Sequence, residues 1–375
     1  MTRSARTSDP ARTTDPIAIA VPAGRPRRAR RAAGVLAAGA LVLGSVLAGG
    51  GAAVAAPVRA SGAAGCAAAT GARSCAQAGD LIDVTLGELH PTQATLGFDQ
   101  IYYKLDRYGS AKDEQNGDVN KRFDDYCETN GQDQADEVPA DATLSDPASF
   151  TCKVDVGDET DDTLAQMKTV VIGPGGALYL TDGHHSLTSF LETPDGGPNL
   201  RIRLKVEANW SGLSQADFWQ SMTDHDWVWL RDAHDDPITP DQLPQHLGLS
   251  GFQDDPYRSL VYFTRDIGYT APDGAAEFLE FMWGSWLRDR VDLAAYDLTH
   301  LDSYLAAVRD AAEQMTDVDQ DTVIADGRTA DDLGVLGKWN DGEDADDGEF
   351  GKLSRPLSDD EPGKLAYALD FRSRS

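Results

Sequence analysis

Asp182-Gly183-His184-His185 is the stretch of this sequence best equipped for chemistry. It joins an apolar run, Ala177–Thr181, to a helix-like run, His184–Glu192. A glycine at a strand-to-helix join lets the chain turn sharply and approach a ligand closely. The helix start that follows presents unpaired N–H groups and a partial positive charge, which together suit an anion or phosphate. A histidine in the first turn can donate to an oxyanion, act as general acid or base, or ligate a metal. Asp182 can orient an imidazole or take a metal itself. The plainer alternative is structural: Asp182 caps the helix, Gly183 permits the turn, one histidine packs and the other is solvated. Spacing alone leaves both readings open.

Other charged residues need the same weighing. Arg258 follows an acidic pair and a helix-starting proline in Asp254-Asp255-Pro256-Tyr257-Arg258. It could reach a phosphate, or form an ion pair with Asp254 or Asp255. Lys104 could approach an anion, or be merely solvated on a helix face. His225 and His234 lie among Asp224, Asp226, Asp232 and Asp235, but nine residues apart they match no zinc spacing, and a solvated acidic loop is expected. Asp317, Asp319 and Asp321 begin like an EF-hand loop. Thr322 stands where its glycine belongs and Arg328 where its bidentate glutamate belongs, which leaves only weak calcium binding open.

The elements that must position these residues read as α+β. Leu81–His90 alternates like a half-buried strand, and Gly97–Gly109 fits an amphipathic helix. Residues 110–162 are acidic and polar and read as a surface insertion with one helical piece around VNKRFDDYC. Met167–Ile172, Ala177–Thr181 and Leu200–Asn209 read as strands, with His184–Glu192 helical between them. Residues 61–80 form a flexible lead-in, 81–209 the α+β domain, 210–315 a helical extension rich in Trp, and 316–375 an acidic, largely mobile tail.

Residues 1–60 read as an export signal: basic Arg25–Gly34, the weakly hydrophobic run Ala32–Ala56, then Val58-Arg59-Ala60 as a cleavage site. That run is also long enough for an N-terminal membrane anchor, the alternative to secretion. Arg27-Arg28 and Arg30-Arg31 fit the twin-arginine route. The whole chain has a formal charge of −29; beyond residue 60, 24 basic and 60 acidic side chains remain, or −36. Such a field opposes broad, non-specific nucleic-acid binding, though a local basic cleft is compatible with it. Cys66, Cys75, Cys127 and Cys152 are even in number and suggest disulfides in an exported chain. Of three possible pairings, loop closure favours Cys66–Cys75 with Cys127–Cys152.

A family resemblance adds to this reading. The succession of a strand, His90-Pro91-Thr92-Gln93, a helix, a strand, Gly175-Gly176-Ala177-Leu178-Tyr179-Leu180-Thr181-Asp182-Gly183-His184-His185-Ser186-Leu187, a helix and a strand resembles the ParB/sulfiredoxin superfamily. The DGHHxL form resembles its ParB-like nuclease branch. Pro91, Thr92, Gln93 and Lys104 match that branch's first block, and DDPYRSLVYFTRDIGY and EFMWGSWLRDR its downstream helices, so the likeness spans roughly 83–290. In ParB proteins the turn carries Gly-Glu-Arg-Arg, and in sulfiredoxins Gly-Cys-His-Arg, against phosphates. Here there is neither a cysteine for sulfinic-acid reduction nor an arginine pair for CTP clamping, and no helix-turn-helix DNA reader follows.

The resemblance implies a ParB/sulfiredoxin-like domain, a small mixed sheet with helices, followed by a helical region. It implies a nuclease or phosphodiesterase with His184, His185 and Asp182 as catalytic residues. Gly183, Ser186, Gln93, Lys104 and Arg258 would hold phosphate, and Asp182 with His184 a divalent metal such as Mg2+, Mn2+ or Zn2+. The expected partner is a nucleic acid or another phosphate-containing ligand, with no protein partner. The competing reading is a non-catalytic exported module that binds a nucleotide or other phosphorylated ligand.

Overall fold

The computed structural model describes residues 72–272 and 274–375. The proposed export signal and Cys66 lie outside the described residues. Within them, no helix is long and apolar enough to cross a membrane.

The run Leu81–His90 makes two strands, β1 (Leu81–Thr85) and β2 (Leu89–His90), because a turn of 3-10 helix intervenes over Leu86–Glu88. Glu88 closes that turn by accepting from the Thr85 amide at 2.7 Å. β3 (Thr95–Leu96) leads into α1 (Phe98–Gly109). The insertion holds α2 (Lys112–Gln115), α3 (Lys121–Thr129) and α4 (Asp161–Leu164). Next come β4 (Thr169–Ile172), β5 (Leu178–Leu180), α5 (His184–Glu192) and β6 (Arg201–Asn209). Beyond them lie α6 (Gln215–Asp224), β7 (Gln253–Asp254), α7 (Pro256–Phe263), α8 (Leu279–Arg288) and α9 (Leu301–Thr316). The hairpin β8 (Val323–Ala325) and β9 (Arg328–Thr329), then α10 (Gly348–Leu353) and α11 (Lys364–Arg374), complete the described chain.

The main sheet runs β1-β6-β4-β5-β2, so the halves of Leu81–His90 sit on its two opposite edges. β1 is antiparallel to β6 and β5 to β4; β4 is parallel to β6 and β2 to β5. Central β4 is buried along its whole length. Val170 and Ile172 face a core shared with Ile101, Leu187 and Phe190, while Val171 meets Phe218 and Met222 on the other face. A strand covered on both sides reads as a continuous apolar run, as TVVI does. The mixed sheet with a helical region confirms the α+β expectation.

Two regions are better anchored than their composition suggests. In the insertion, Phe123, Tyr126, Leu144 and Phe150 join the sheet core, and a disulfide links Cys127 to Cys152 as expected. Residues 316–375, expected as a mobile tail, instead carry regular elements packed on the body of the protein. The Asn340 side chain, 1% exposed, donates to the carbonyls of Glu343, Asp344 and Asp347 and accepts from the Phe350 amide, which organises the Asp/Gly-rich loop from within. α11 buries Leu365, Ala366, Tyr367 and Ala368 and lies against α1, with Phe371 stacked on Tyr102 at 5.2 Å. There Arg372 pairs with buried Asp99, which also accepts from the Tyr304 hydroxyl at 2.9 Å, and Arg374 pairs with Asp106. Charge composition alone could not reveal these specific pairings.

Candidate functional site

The turn after β5 is built around Gly183. It caps α5 with φ +95°, a left-handed conformation that strains residues with a side chain. A Cβ there would lie 2.6 Å from Cγ of Lys168, so glycine is required by space as well as by torsion. The Lys168 stem crosses this gap and its Nζ donates to Oδ2 of half-exposed Asp182 at 3.0 Å. Burial pushes the Asp182 carboxyl up, but Lys168 and nearby hydrogen bonds outweigh this and hold it below the usual carboxylate range.

Both histidines turn inward. Nε2 of His184 accepts from the Thr92 amide at 3.1 Å, and Nε2 of His185 accepts from the Gly97 amide at 3.0 Å. They therefore fasten the turn to the segment between β2 and α1, the HPTQ block and its continuation. Their residues are 3% and 7% exposed, and burial drives the pKa of His184 down to about 3. His185 is pushed well below its ordinary value by burial, then by the Arg258 charge. Both rings are thus neutral at physiological pH. With Nε2 accepting, each carries its proton on Nδ1. No described residue accepts either Nδ1–H.

Arg258 comes from the first turn of α7. Asp255 caps that helix, accepting from the amides of Tyr257 and Arg258 at 3.0 and 3.2 Å, while its other oxygen takes Arg288 at 2.6 Å. The Arg258 guanidinium therefore pairs with neither Asp254 nor Asp255. It faces Glu280 at 3.7 Å and lies 5.3 Å from the Phe281 ring centroid. Arg258 is 4% exposed, yet its Nε and Nη1 have no hydrogen-bond partner. Arg265, paired with the same Glu280, also has an unpartnered Nε. Leaving a buried donor unsatisfied costs about 1–3 kcal/mol, and more when it is charged, so these nitrogens form a standing demand for an acceptor.

These groups meet in one cavity of about 240 Å³. Gln93, Lys104, Asp182, Gly183, His184, His185, Ser186 and Arg258 all line it, so every non-cysteine site residue expected from the sequence is brought together. Gln93 and Lys104 are engaged by protein partners as well: Gln93 Nε2 donates to the Thr95 carbonyl at 2.6 Å, and Lys104 Nζ to Asp125 at 2.6 Å. The cavity also gains Lys168, Arg265, Glu277 and Glu280, which sequence reasoning missed. Arg265 and Glu280 do lie in the two downstream helical blocks, but nothing local marks them as cavity residues. Burial, then Asp182 and Glu207, pushes the Glu277 carboxyl up to about 7.

The other acidic-histidine region does not converge. Nδ1 of His225 lies 2.8 Å from the Ser221 carbonyl and its ring packs on Trp227, while Asp226 pairs with Arg328 and Asp235 with Arg231. Among the described residues, no three or more His, Cys, Asp or Glu side chains are grouped to hold a metal ion.

Comparison with family models agrees with this architecture. A family model described as "Putative ParB-like nuclease" matches residues 82–289. Among solved structures, the crystal structure of protein Atu1540 from Agrobacterium tumefaciens is similar at 20% identity and a TM-score of 0.40, over 63% of this chain and 91% of that one. No curated protein matches the chain.

Proposed function

The chain belongs to the ParB-like nuclease family, and on that premise we propose that it is a phosphodiesterase whose substrate phosphate, from a nucleic acid or nucleotide, is held at the start of α5. The observation that carries this reading is Arg258: a buried cation with two unpartnered nitrogens, lining the same cavity as the α5 N-terminus. In this reading the amides of His184, His185 and Ser186 and the Arg258 guanidinium receive phosphate oxygens. The neutral imidazoles add Nδ1–H donors, and Lys168 and Arg265 supply further positive charge.

The described residues offer a divalent ion the Asp182 carboxylate, whereas Nε2 of His184 already accepts from Thr92. Asp182 is thus the residue that would hold Mg2+ or Mn2+, and the ion would supply neutralisation of phosphate charge. Export through residues 1–60 is part of the same proposal and rests on their sequence pattern.

A second reading is a binding module without turnover. It is favoured by the engagement of both histidine Nε2 atoms with main-chain amides, a structural use of the residues expected to be catalytic. The discriminating experiment incubates the full chain, disulfides intact, with single-stranded DNA, plasmid, RNA and free nucleotides, with and without Mg2+ or Mn2+. Cleavage that falls at least ~100-fold in Arg258→Met supports the phosphodiesterase. Ligand-induced thermal stabilisation without cleavage leaves the binding module. Folded protein that shows neither sinks both.

A further inference from the structure

The three carboxylates that line the cavity stand in different circumstances. Asp182 is tied to Lys168 at 3.0 Å. Glu280 is shared by Arg265 and Arg258. Glu277 has no hydrogen bond or ion pair with any described residue. The remaining titratable groups of the cavity are poor proton acceptors. The histidine Nε2 lone pairs are occupied, the lysines and arginines are cations, and burial holds the Tyr262 phenol protonated.

The backbone explains how Glu277 comes to line the cavity. The next residue, Phe278, holds φ +59° and ψ 20° as the cap of α8. An aromatic residue in the left-handed region is strained, and such strain persists only where packing over-determines it. The Phe278 ring packs 6.0 Å from Trp229 and 6.1 Å from Phe281, which supplies that packing. This abrupt entry into α8 leaves Glu277 just outside the helix and Glu280 in its first turn, and both line the cavity with Arg258.

Resting on the phosphodiesterase reading above, we propose that Glu277 is its general base, the group that takes a proton from the attacking water. The water oxygen bonds to phosphorus as the bond from phosphorus to the leaving oxygen breaks. The leaving oxygen departs with the electron pair and is protonated from solvent, and the water proton passes to the Glu277 carboxylate. The reaction consumes one water and needs no oxidant or reductant. The charged groups acting on Glu277 are Asp182, Glu207 and Glu280, which hinder its ionisation, and Lys168, which favours it. Its carboxyl at about 7 suits a base working near neutrality.

The test measures hydrolysis of bis(4-nitrophenyl) phosphate and single-stranded DNA by the full chain and by Glu277→Gln, Glu277→Asp and Arg258→Met. Glu277→Gln is expected to lower kcat at least ~100-fold with KM within about threefold, and to remove the acidic limb of the kcat–pH profile. Glu277→Asp, with the same charge on a shorter stem, is expected to retain a measurable fraction of kcat and that limb. Thermal unfolding of each variant shows that it is folded. If the wild type turns over and folded Glu277→Gln keeps a third or more of its kcat, the assignment of Glu277 is overturned and the phosphodiesterase stands. If the wild type cleaves neither substrate with or without Mg2+ or Mn2+, both fall together.

Discussion

Nε2 of His185 accepts a hydrogen bond from the main-chain amide of Gly97, 3.0 Å away in space and 88 residues earlier in the chain. The His184–Thr92 contact is its counterpart one residue back. Replacing either histidine by alanine orphans a buried amide and opens a void. Each change is expected to cost about 2–4 kcal/mol, read as a lower denaturant midpoint at unchanged m-value.

The same burial sets an acid response. The folded-state pKa of each histidine lies below its unfolded value, so the unfolded chain binds more protons as the pH drops below about 6.5. The histidine contribution is fully present above that pH. It is lost on acidification, by up to about 1.4 kcal/mol per histidine per pH unit until the folded-state pKa is reached. Unfolding free energies between pH 7 and pH 4 test this, and His185→Ala should flatten the slope.

Arg258 should show the opposite balance of stability and function. Arg258→Met keeps an apolar stem beside Phe281 and removes the unpartnered nitrogens, while Glu280 retains Arg265. The variant is expected to be as stable as the wild type within ~1 kcal/mol, or more stable. It should lose the thermal shift that pyrophosphate gives the wild type. An equal shift in both proteins would remove Arg258 from the phosphate site.

Gly183→Ala combines a strained torsion with a contact on the Lys168 stem. A loss of roughly 1–3 kcal/mol is expected, with phosphate-ligand binding weakened because Lys168 and the α5 start are displaced together. Thermal unfolding with and without ligand separates the two effects.

Glu277 gives a prediction that needs no turnover. Its folded-state pKa is raised, so its ionisation costs stability as pH rises from about 4.5 to about 7. Glu277→Gln should therefore be more stable than the wild type at pH 8, by about 1 kcal/mol after allowing for solvent screening, and equal to it near pH 4. Sulfate has no proton equilibrium in this range. Its binding should weaken from pH 6 to pH 8 in the wild type and stay level in the variant.

Much of the lining of the candidate cavity was legible because the residues of its turn are neighbours in the chain. Asp182-Gly183-His184-His185 announces a strand, a turn and a helix start within a few residues, and α5 begins at His184 as the pattern requires. What could not be read is what tertiary contact decides. Lys168 falls in a run read as a strand, and nothing local shows that Gly183 leaves space for its stem. Arg258 looks like a partner for Asp254 or Asp255, but Asp255 is taken by Arg288 and the cap of α7. Glu277 has no local signature because its place depends on the left-handed Phe278 after it. The order of residues 316–375 was hidden because Asp and Gly normally signal solvated loops, whereas Asn340 supplies the missing hydrogen bonds and α11 the apolar face.

The seat of Asp99 also has a bearing on how the chain reaches its native state. Asp99 lies in the first turn of α1, and its cation arrives from Arg372, 273 residues later. Burial pushes this carboxyl up even with Arg372 and Tyr304 beside it. On the ribosome, a growing chain that has already made the His-bearing turn still lacks the charge that settles α1. Because that cation lies so far along the chain, α1 lacks the partner of its buried carboxyl until residues 364–374 have been made, and the cavity it borders settles no earlier.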